Sequence, residues 1–173
     1  LKGAKSLSGI LLVSSDPDAC ALAQTFNARI LDEGDESGLN PAVTRAAAIL
    51  AQEGIERVLI LHGDAPLTTS NEIEQLIAAL GPAPAMAIAP DSVKRGSNAI
   101  AISPPNAIPF RYGRDSFPAH LHEAEIAGVA IQVLSLPGIA FDIDAPQDLF
   151  DLAEADGDTR SQIVLRDLNL LSR

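Results

Sequence analysis

Short apolar segments alternate with segments of helical periodicity along most of this chain. Segments 9–15, 28–32 and Val58–Leu61 are predicted to be buried strands, because each is short and rich in apolar residues. Apolar residues recur at helical spacing in 42–53, between the second and third of these segments. The order strand, helix, strand, helix, strand predicts a parallel sheet with right-handed crossovers.

The same alternation continues through the second half of the chain. Further strands are predicted over residues 85–90, 99–103, 129–134 and 139–144. Helices are predicted over residues 18–26, 42–53, 71–80, 118–127 and 146–155, and the segment 157–173 fits a helix or a strand equally. The pattern therefore predicts an α/β fold, with a mostly parallel sheet and flanking helices, in a single domain over residues 1–173.

Composition agrees with this fold class. Of the 173 residues, 47% are apolar but only 3% are aromatic, so the core must consist of Ala, Leu, Ile and Val, which suits helices packed on a sheet. Cys20 is the one cysteine, which excludes an intrachain disulfide and a cysteine-based zinc site. Because no signal-peptide pattern and no membrane-length apolar run is present, we expect a soluble, cytoplasmic protein without membrane contact.

The charge of the chain restricts its partners. A formal net charge of −11 argues against a general nucleic-acid binder, since phosphate backbones require clustered Lys and Arg. Acidity does not exclude a small phosphorylated ligand, because backbone amides and metal ions that bridge to carboxylates can hold phosphate groups.

Three aspartates stand near the ends of predicted strands. Asp64 follows the Val58–Leu61 strand, at the edge where open α/β sheets bind ligands. Alternation along the predicted strand 139–144 puts Asp142 and Asp144 on one face, where the two acids and Asp64 could hold Mg²⁺. The alternative is structural: Asp64 and Asp144 cap the helices that follow them, and Asp142 is solvated.

Two loops are candidates for binding an anion. Gly96-Ser97-Asn98 and the segment 113–116 combine glycine with serine hydroxyls, and basic residues flank both. Those basic residues are Lys94, Arg95, Arg111 and Arg114. Taken alone, each loop is better interpreted as an ordinary polar turn. His120 and His122 are two residues apart within a helix, so they cannot hold one ion together.

Several segments, taken in order, carry a family resemblance. They are 12–17 (Leu-Val-Ser-Ser-Asp-Pro), 38–40 (Gly-Leu-Asn), 63–67 (Gly-Asp-Ala-Pro-Leu), 89–91, 96–99, 112–117 followed by His120, and 137–149. Over about residues 9–150 the chain resembles the guanylyltransferases that cap 2-phospho-L-lactate, phosphoenolpyruvate or a related phospho-acid with GMP in the biosynthesis of coenzyme F420. Where that family usually has Gly-Thr-Asn, this chain has Gly-Ser-Asn at 96–98, which keeps the hydroxyl.

The resemblance implies a fold, a reaction and a site. The fold would be the nucleotidyltransferase fold (GT-A-like, Rossmann-type), and the reaction would be attack of a phospho-acid on GTP with release of pyrophosphate. The implied metal ligands and catalytic residues are Asp64, Asp142 and Asp144, with Mg²⁺ as the cofactor. The implied phospho-acid residues are Ser97, Gly113 and Ser116, with Asn98 beside them, and the implied nucleotide site is Gly38, Leu39 and Asn40.

The family also has a further strand and a basic phosphate loop before the first segment matched here. On that ground we expect the first βα unit to be missing from the sequence, with roughly 40 to 60 residues preceding it in the natural protein. Two alternative functions are another nucleotidyltransferase of this fold, such as a molybdenum-cofactor cytidylyltransferase, and a non-catalytic nucleotide-binding module. A homodimer is left open.

Overall fold

Helices flank both faces of a four-stranded sheet in the computed structural model, which describes residues 1, 3–33 and 38–168. The strands are β1 (Leu11–Val13), β2 (Arg29–Leu31), β3 (Val58–Leu61), β4 (Ala85–Pro90), β5 (Ser97–Ser103) and β6 (Ala130–Val133). The helices are α1 (Pro17–Gln24), α2 (Leu39–Gln52), α3 (Ser70–Ala79), α4 (Ser116–Ile126), α5 (Pro146–Glu154) and α6 (Arg160–Asp167). Within the described ranges, every helix is too short or too polar to span a bilayer.

The sequence predicted one sheet that includes the first three strands, but the first two strands form a separate small sheet. β1 and β2 pair with each other in parallel, and the main sheet has the order β3-β5-β4-β6. β3, β4 and β6 run in one direction and β5 runs in the other, because it pairs antiparallel with both β3 and β4. The turn 91–96 is too short for a crossover connection, so β4 and β5 must form a hairpin. The α/β fold with a mostly parallel sheet is confirmed.

Two apolar layers enclose the main sheet, and β5 contributes to both. Ile100 and Ile102 pack with residues of α2 and α4, whereas Ala99 and Ala101 pack with residues of α3. All residues of β4 and β5 are buried, as expected for central strands covered on both faces. The segment that the sequence left open contains α6, which packs on α5; its last residues, 169–173, lie outside the described part.

A β-bulge at the start of β5 changes the direction of its first side chains. Ala89 lies opposite Ala99, but Pro90 lies opposite Ser97, so Asn98 is one extra residue in the strand. Strict alternation would direct Ser97 to the α3 side with Ala99. Because of the bulge, the Ser97 hydroxyl instead meets a side chain of α4, and Asn98 bonds Ile139 in the α3 layer.

The predicted strand over 139–144 is wrong. Residues 139–140 form a turn and bend, and residues 141–144 have no regular secondary structure. Their one backbone bond to the end of β3 runs from the Ile143 N–H to the Asp64 carbonyl at 3.0 Å. The alternation that suggested a strand has another cause: Phe141 and Ile143 pack against the small core under α5 and α6.

A buried carboxylate fixes the turn that begins this segment. Glu72 on α3 is 7% exposed, and its side chain accepts hydrogen bonds from the N–H groups of Gly138 (2.6 Å) and Thr69 (2.9 Å). Gly138 is so close to its neighbours that a Cβ atom there would overlap the Leu67 carbonyl oxygen and the Glu72 carboxylate. The backbone that leads to Asp142 is therefore tied to the start of α3.

We expect Gly138→Ala to lower the free energy of unfolding by about 1–3 kcal/mol, because the backbone must shift to admit the methyl group. Urea denaturation measures this change. Gly81→Ala is the matched control, since a Cβ at Gly81 meets nothing within 4 Å. Equal stabilities of the two variants would contradict the overlap.

Candidate active site

The three predicted acids gather where β3 ends. The bond between Ile143 and Asp64 brings segment 142–144 alongside Asp64. Burial raises the pKa of Asp142, and the negative charges of Asp144 and Asp64 raise it further. A hydrogen bond with the Asn98 side chain acts in the opposite direction on that pKa. The charge of Asp142 is therefore coupled to those of Asp144 and Asp64.

Neither Asp64 nor Asp144 caps the helix that follows it, so the structural alternative is wrong for these two acids. Helix α3 is capped by Thr69, whose side chain accepts a bond from the Glu72 N–H, so Asp64 does not cap it. Helix α5 is capped by Asp148, which accepts bonds from the N–H groups of Asp144 (2.8 Å) and Ala145 (2.6 Å). The carboxylates of Asp64 and Asp144 thus remain exposed and take no part in capping.

The chemistry of the three acids suits a hard divalent cation. Mg²⁺ binds through a few carboxylates together with phosphate oxygens and water, and a cation would relieve the repulsion among Asp64, Asp142 and Asp144. Among the described residues, however, no three His, Cys, Asp or Glu side chains form a ready-made metal cluster. Their role as metal ligands stays a prediction.

Asn98 ties the acid segment to β5. Its side-chain Nδ2 donates to the Ile139 carbonyl at 2.9 Å, and its side chain counteracts the rise that burial causes in the pKa of the Asp142 carboxyl. The backbone carbonyl of Asn98 accepts from the His62 N–H at 3.1 Å, which fixes the end of β3. Asn98, predicted to contact the phospho-acid, thus holds the aspartates in place, and its substrate role stays a prediction.

Ser97, Ser116 and His120 form a buried polar network on the other face of the sheet. The Ser116 hydroxyl accepts a bond from the Ser97 N–H at 2.9 Å, and the Ser97 hydroxyl lies 2.9 Å from Nδ1 of His120. The residues are 1%, 3% and 0% exposed, in the order Ser97, Ser116, His120, so the network is shielded from water. Burial lowers the pKa of His120 to about 4. Two of the three predicted phospho-acid residues are therefore brought together.

The third, Gly113, lies in an adjoining loop that is fixed at two points. The His120 ring accepts a bond from the Arg111 N–H at 2.9 Å. The Asn40 side chain accepts from the Tyr112 N–H at 2.6 Å and donates to the Tyr112 carbonyl at 2.9 Å. Gly113 follows with φ +121°, a conformation that favours glycine.

The predicted nucleotide site therefore adjoins the phospho-acid loop. Gly38, with φ +116°, precedes α2, and Leu39 at the start of that helix is 48% exposed. Asn40 uses both ends of its amide on Tyr112, so we assign it a structural role in addition to the predicted one. Contact of these three residues with a nucleotide stays a prediction.

Basic residues flank the network in the sequence, although the whole chain is acidic. Segment 94–114 contains four basic residues and no acidic ones in a chain of net charge −11. Arg95 pairs with Asp115 at 2.7 Å and Arg111 pairs with Glu123 at 2.6 Å, which holds both guanidinium groups in place. Arg114 is 87% exposed and lies 3.6 Å from Asp115.

Sequence reasoning missed the residues that support the site. His120 was considered only as a metal ligand, and Glu72 and Asp148 were not considered as anchors for the acid segment. Beside Asp64 lies a cavity of about 390 Å³, which is mostly apolar and bordered by Arg160 and Ser161 of α6. No signal in the sequence pointed to α6 at this place, because its segment could not be assigned.

Known proteins resemble this chain over most of its length. The family model described as "Guanylyl transferase CofC like" matches residues 1–172. A phosphoenolpyruvate guanylyltransferase of Rubrobacter xylanophilus is 36% identical over 157 residues, 91% of this chain and 76% of the relative. A 3-phospho-D-glycerate guanylyltransferase of Colwellia psychrerythraea is 34% identical, over 95% of this chain and 75% of the relative. A 2-phospho-L-lactate guanylyltransferase of Methanothermobacter thermautotrophicus is 29% identical, over 95% and 72%.

Solved structures agree on the fold. A protein from Desulfovibrio desulfuricans G20, assigned to the nucleotide-diphospho-sugar transferases, superposes with a TM-score of 0.73 at 18% identity, over 99% of this chain and 79% of that one. The 4-diphosphocytidyl-2C-methyl-D-erythritol synthase superposes with a TM-score of 0.66 at 15% identity, over 87% and 82%. These similarities show the nucleotidyltransferase type of α/β fold.

We expect the stability of the protein to fall on acidification through His120. Its pKa is about 4 when folded and about 6.5 when unfolded, so between these values the unfolded chain binds more protons. The free energy of unfolding should therefore drop by about 2 kcal/mol from pH 7 to pH 5 on account of this residue, and His120→Gln should remove that part. His122→Gln is the control, because His122 is exposed on the same helix. An unchanged pH dependence in His120→Gln would contradict the burial of a neutral ring.

Proposed function

This chain belongs to the family of CofC-like guanylyl transferases, and on that basis we propose that it joins GMP from GTP to a small phospho-acid and releases pyrophosphate. The observation that carries the proposal is the start of β5. Two consecutive residues, Ser97 and Asn98, connect the serine network on one face of the sheet with the acid segment on the other. An anion site and a carboxylate site are thus joined by one peptide unit.

We propose that the phospho-acid is held by the hydroxyls of Ser97 and Ser116 and by the backbone at Gly113. Hydroxyl and amide hydrogens are the donors that phosphate and carboxylate oxygens need. Arg95 and the exposed Arg114 flank this loop, and the Asp115 carboxylate between them partly neutralises their charge. Phosphoenolpyruvate, 3-phospho-D-glycerate and 2-phospho-L-lactate, the substrates in the names of the relatives, all present one phosphate and one carboxylate.

The nucleotide is proposed to bind beside Gly38, Leu39 and Asn40. Asn40 connects this segment to Tyr112 through two hydrogen bonds, so both proposed substrates would contact parts of one hydrogen-bonded unit. The exposed side chain of Leu39 is available to pack on a base.

Asp64, Asp142 and Asp144 are proposed to hold Mg²⁺, supported by the chemistry of three neighbouring carboxylates that do not cap a helix. When bound, the ion would neutralise phosphate charge and help to orient the reacting groups. The protein side chains around it keep the acids in place: Asn98 bonds to the Ile139 carbonyl, three residues before Asp142, and Asp148 bonds to the backbone of Asp144.

The proposed reaction is a displacement at phosphorus. A phosphate oxygen of the phospho-acid forms a bond to the α-phosphorus of GTP, and the bond from that phosphorus to the oxygen of the β-phosphate breaks. Pyrophosphate leaves with the bonding electrons. No general base is required, because the attacking phosphate oxygen is already anionic at neutral pH. His120 is proposed not to be a base, since its ring is buried and bonded on both nitrogens.

The product would be a guanylylated phospho-acid, and we propose that it enters the biosynthesis of coenzyme F420 in the cytoplasm. A panel of GTP and CTP against the three phospho-acids and molybdopterin, scored by product mass, tests the proposal and identifies the substrate. A product from GTP and one phospho-acid is expected. Product with CTP alone would contradict it.

We expect Asp64→Asn to abolish pyrophosphate release, because one of three ligands for the proposed cation loses its charge. The fold should stay intact, since Asp64 is exposed and caps no helix. Released pyrophosphate and the melting temperature measure the two effects. Glu125→Gln removes an exposed acid from α4 and is the control. Full activity in Asp64→Asn would refute the metal role.

A further inference from the structure

His120 contacts both the β5 network and the loop before α4, although nothing in the proposed reaction requires a histidine there. Its ring is 0% exposed, and Tyr112 and Phe110 pack edge-on against it with ring centroids 4.8 and 6.3 Å away. The ring therefore has one fixed orientation, and the question is what its two nitrogens do.

The hydrogen-bond partners determine which nitrogen carries the hydrogen. Nε2 lies 2.9 Å from the backbone nitrogen of Arg111, and a backbone N–H can only donate, so Nε2 must be the acceptor. In an uncharged ring, Nδ1 then carries the hydrogen. Nδ1 is 2.9 Å from the Ser97 hydroxyl, whose oxygen can accept that hydrogen. One tautomer therefore satisfies the partners on both sides of the ring.

This tautomer determines what the Ser97 hydroxyl can do. The oxygen of Ser97 receives the ring hydrogen, so its own hydrogen must be donated elsewhere. Across the described residues, the hydroxyl has no second hydrogen-bond partner. The Ser116 hydroxyl oxygen also accepts a hydrogen bond, from the Ser97 N–H, so its own hydrogen is likewise available to be donated. Two neighbouring hydroxyls are thus left as donors, and phosphate oxygens are pure acceptors.

We propose that His120 is a positioning residue for the phospho-acid, whose uncharged ring holds the Arg111–Gly113 loop through Nε2 and orients the Ser97 hydroxyl hydrogen towards the ligand through Nδ1. This inference rests on the proposed function, because it takes Ser97 and Gly113 as phosphate-binding residues. Asn40 holds the same loop one residue further on, at Tyr112. The loop is therefore fixed from α4 and from α2.

Steady-state kinetics with three variants test the proposal. His120→Ala should raise the KM for the phospho-acid roughly tenfold or more, with the KM for GTP changed less than about twofold. His120→Asn retains a donor near Nδ1, and His120→Gln retains an acceptor near Nε2, so each should show a smaller rise. His122→Ala, on the exposed face of α4, should behave as the wild type. Equal rises in both KM values, or no effect of His120→Ala, would overturn the proposal.

A measurement on the unmodified protein separates this proposal from the proposed function. Nitrogen-15 NMR of the His120 ring should report a hydrogen on Nδ1 at neutral pH, and a ring with its hydrogen on Nε2 would overturn the proposal. Phosphoenolpyruvate and 3-phosphoglycerate, added separately, should shift the Ser97 and Gly113 amide signals in the wild type and shift them less in His120→Ala. If the wild type binds a phospho-acid in this way but makes no product from GTP, the proposed function fails and the role of His120 stands. If neither ligand shifts these signals, the role of His120 fails.

Discussion

Repulsion among three carboxylates is the constraint on which the candidate site depends. Burial and the negative charges of Asp144 and Asp64 raise the pKa of Asp142, and like charges separate unless other contacts hold them. The contacts come from elsewhere in the chain. Asn98 donates to the Ile139 carbonyl, the Asp148 carboxylate accepts from the Asp144 N–H, and the Ile143 N–H donates to the Asp64 carbonyl. Hydrogen bonds to the backbone of residues 139–144 therefore hold the acids near one another.

Side chains that looked like ligand contacts are in part the supports of the site. Asn40 uses its whole amide on the Tyr112 backbone, and Asn98 uses its amide on the Ile139 carbonyl. Buried polar groups of this kind are costly when unpaired, so each fixes its partner firmly. The side chains of the candidate site thus fall into two groups. The Asn40 and Asn98 amides and the His120 ring hold backbone groups in place. The serine hydroxyls and the exposed carboxylates can still bind a ligand.

The sequence predicted the fold well because its main signals are local. Apolar runs and helical spacing identify β3, β4 and α2–α5 from residues adjacent in the chain. The predicted strand at 139–144 was wrong, because alternating apolar residues show only that every second side chain is buried. Phe141 and Ile143 are covered by α5 and α6 and do not belong to a sheet. The support of the site was not predictable for a different reason. Asn40 and Tyr112 are 72 residues apart, and Asn98 and Ile139 are 41 apart, so no local pattern joins them.

The bulge at Asn98 has a consequence for insertions and deletions. Surface turns normally tolerate changes of length. In the turn 91–96, the Asp91 carboxylate binds the N–H groups of Arg95 (2.7 Å) and Gly96 (2.8 Å), and the strand that follows already contains one extra residue. Removing a single residue there could restore regular pairing, and it would then exchange the faces to which Ser97 and Asn98 point. The hydroxyl would leave His120, and at the same time the amide would leave the Ile139 carbonyl. Length variation among homologues should therefore be rarer in this hairpin than its exposure suggests.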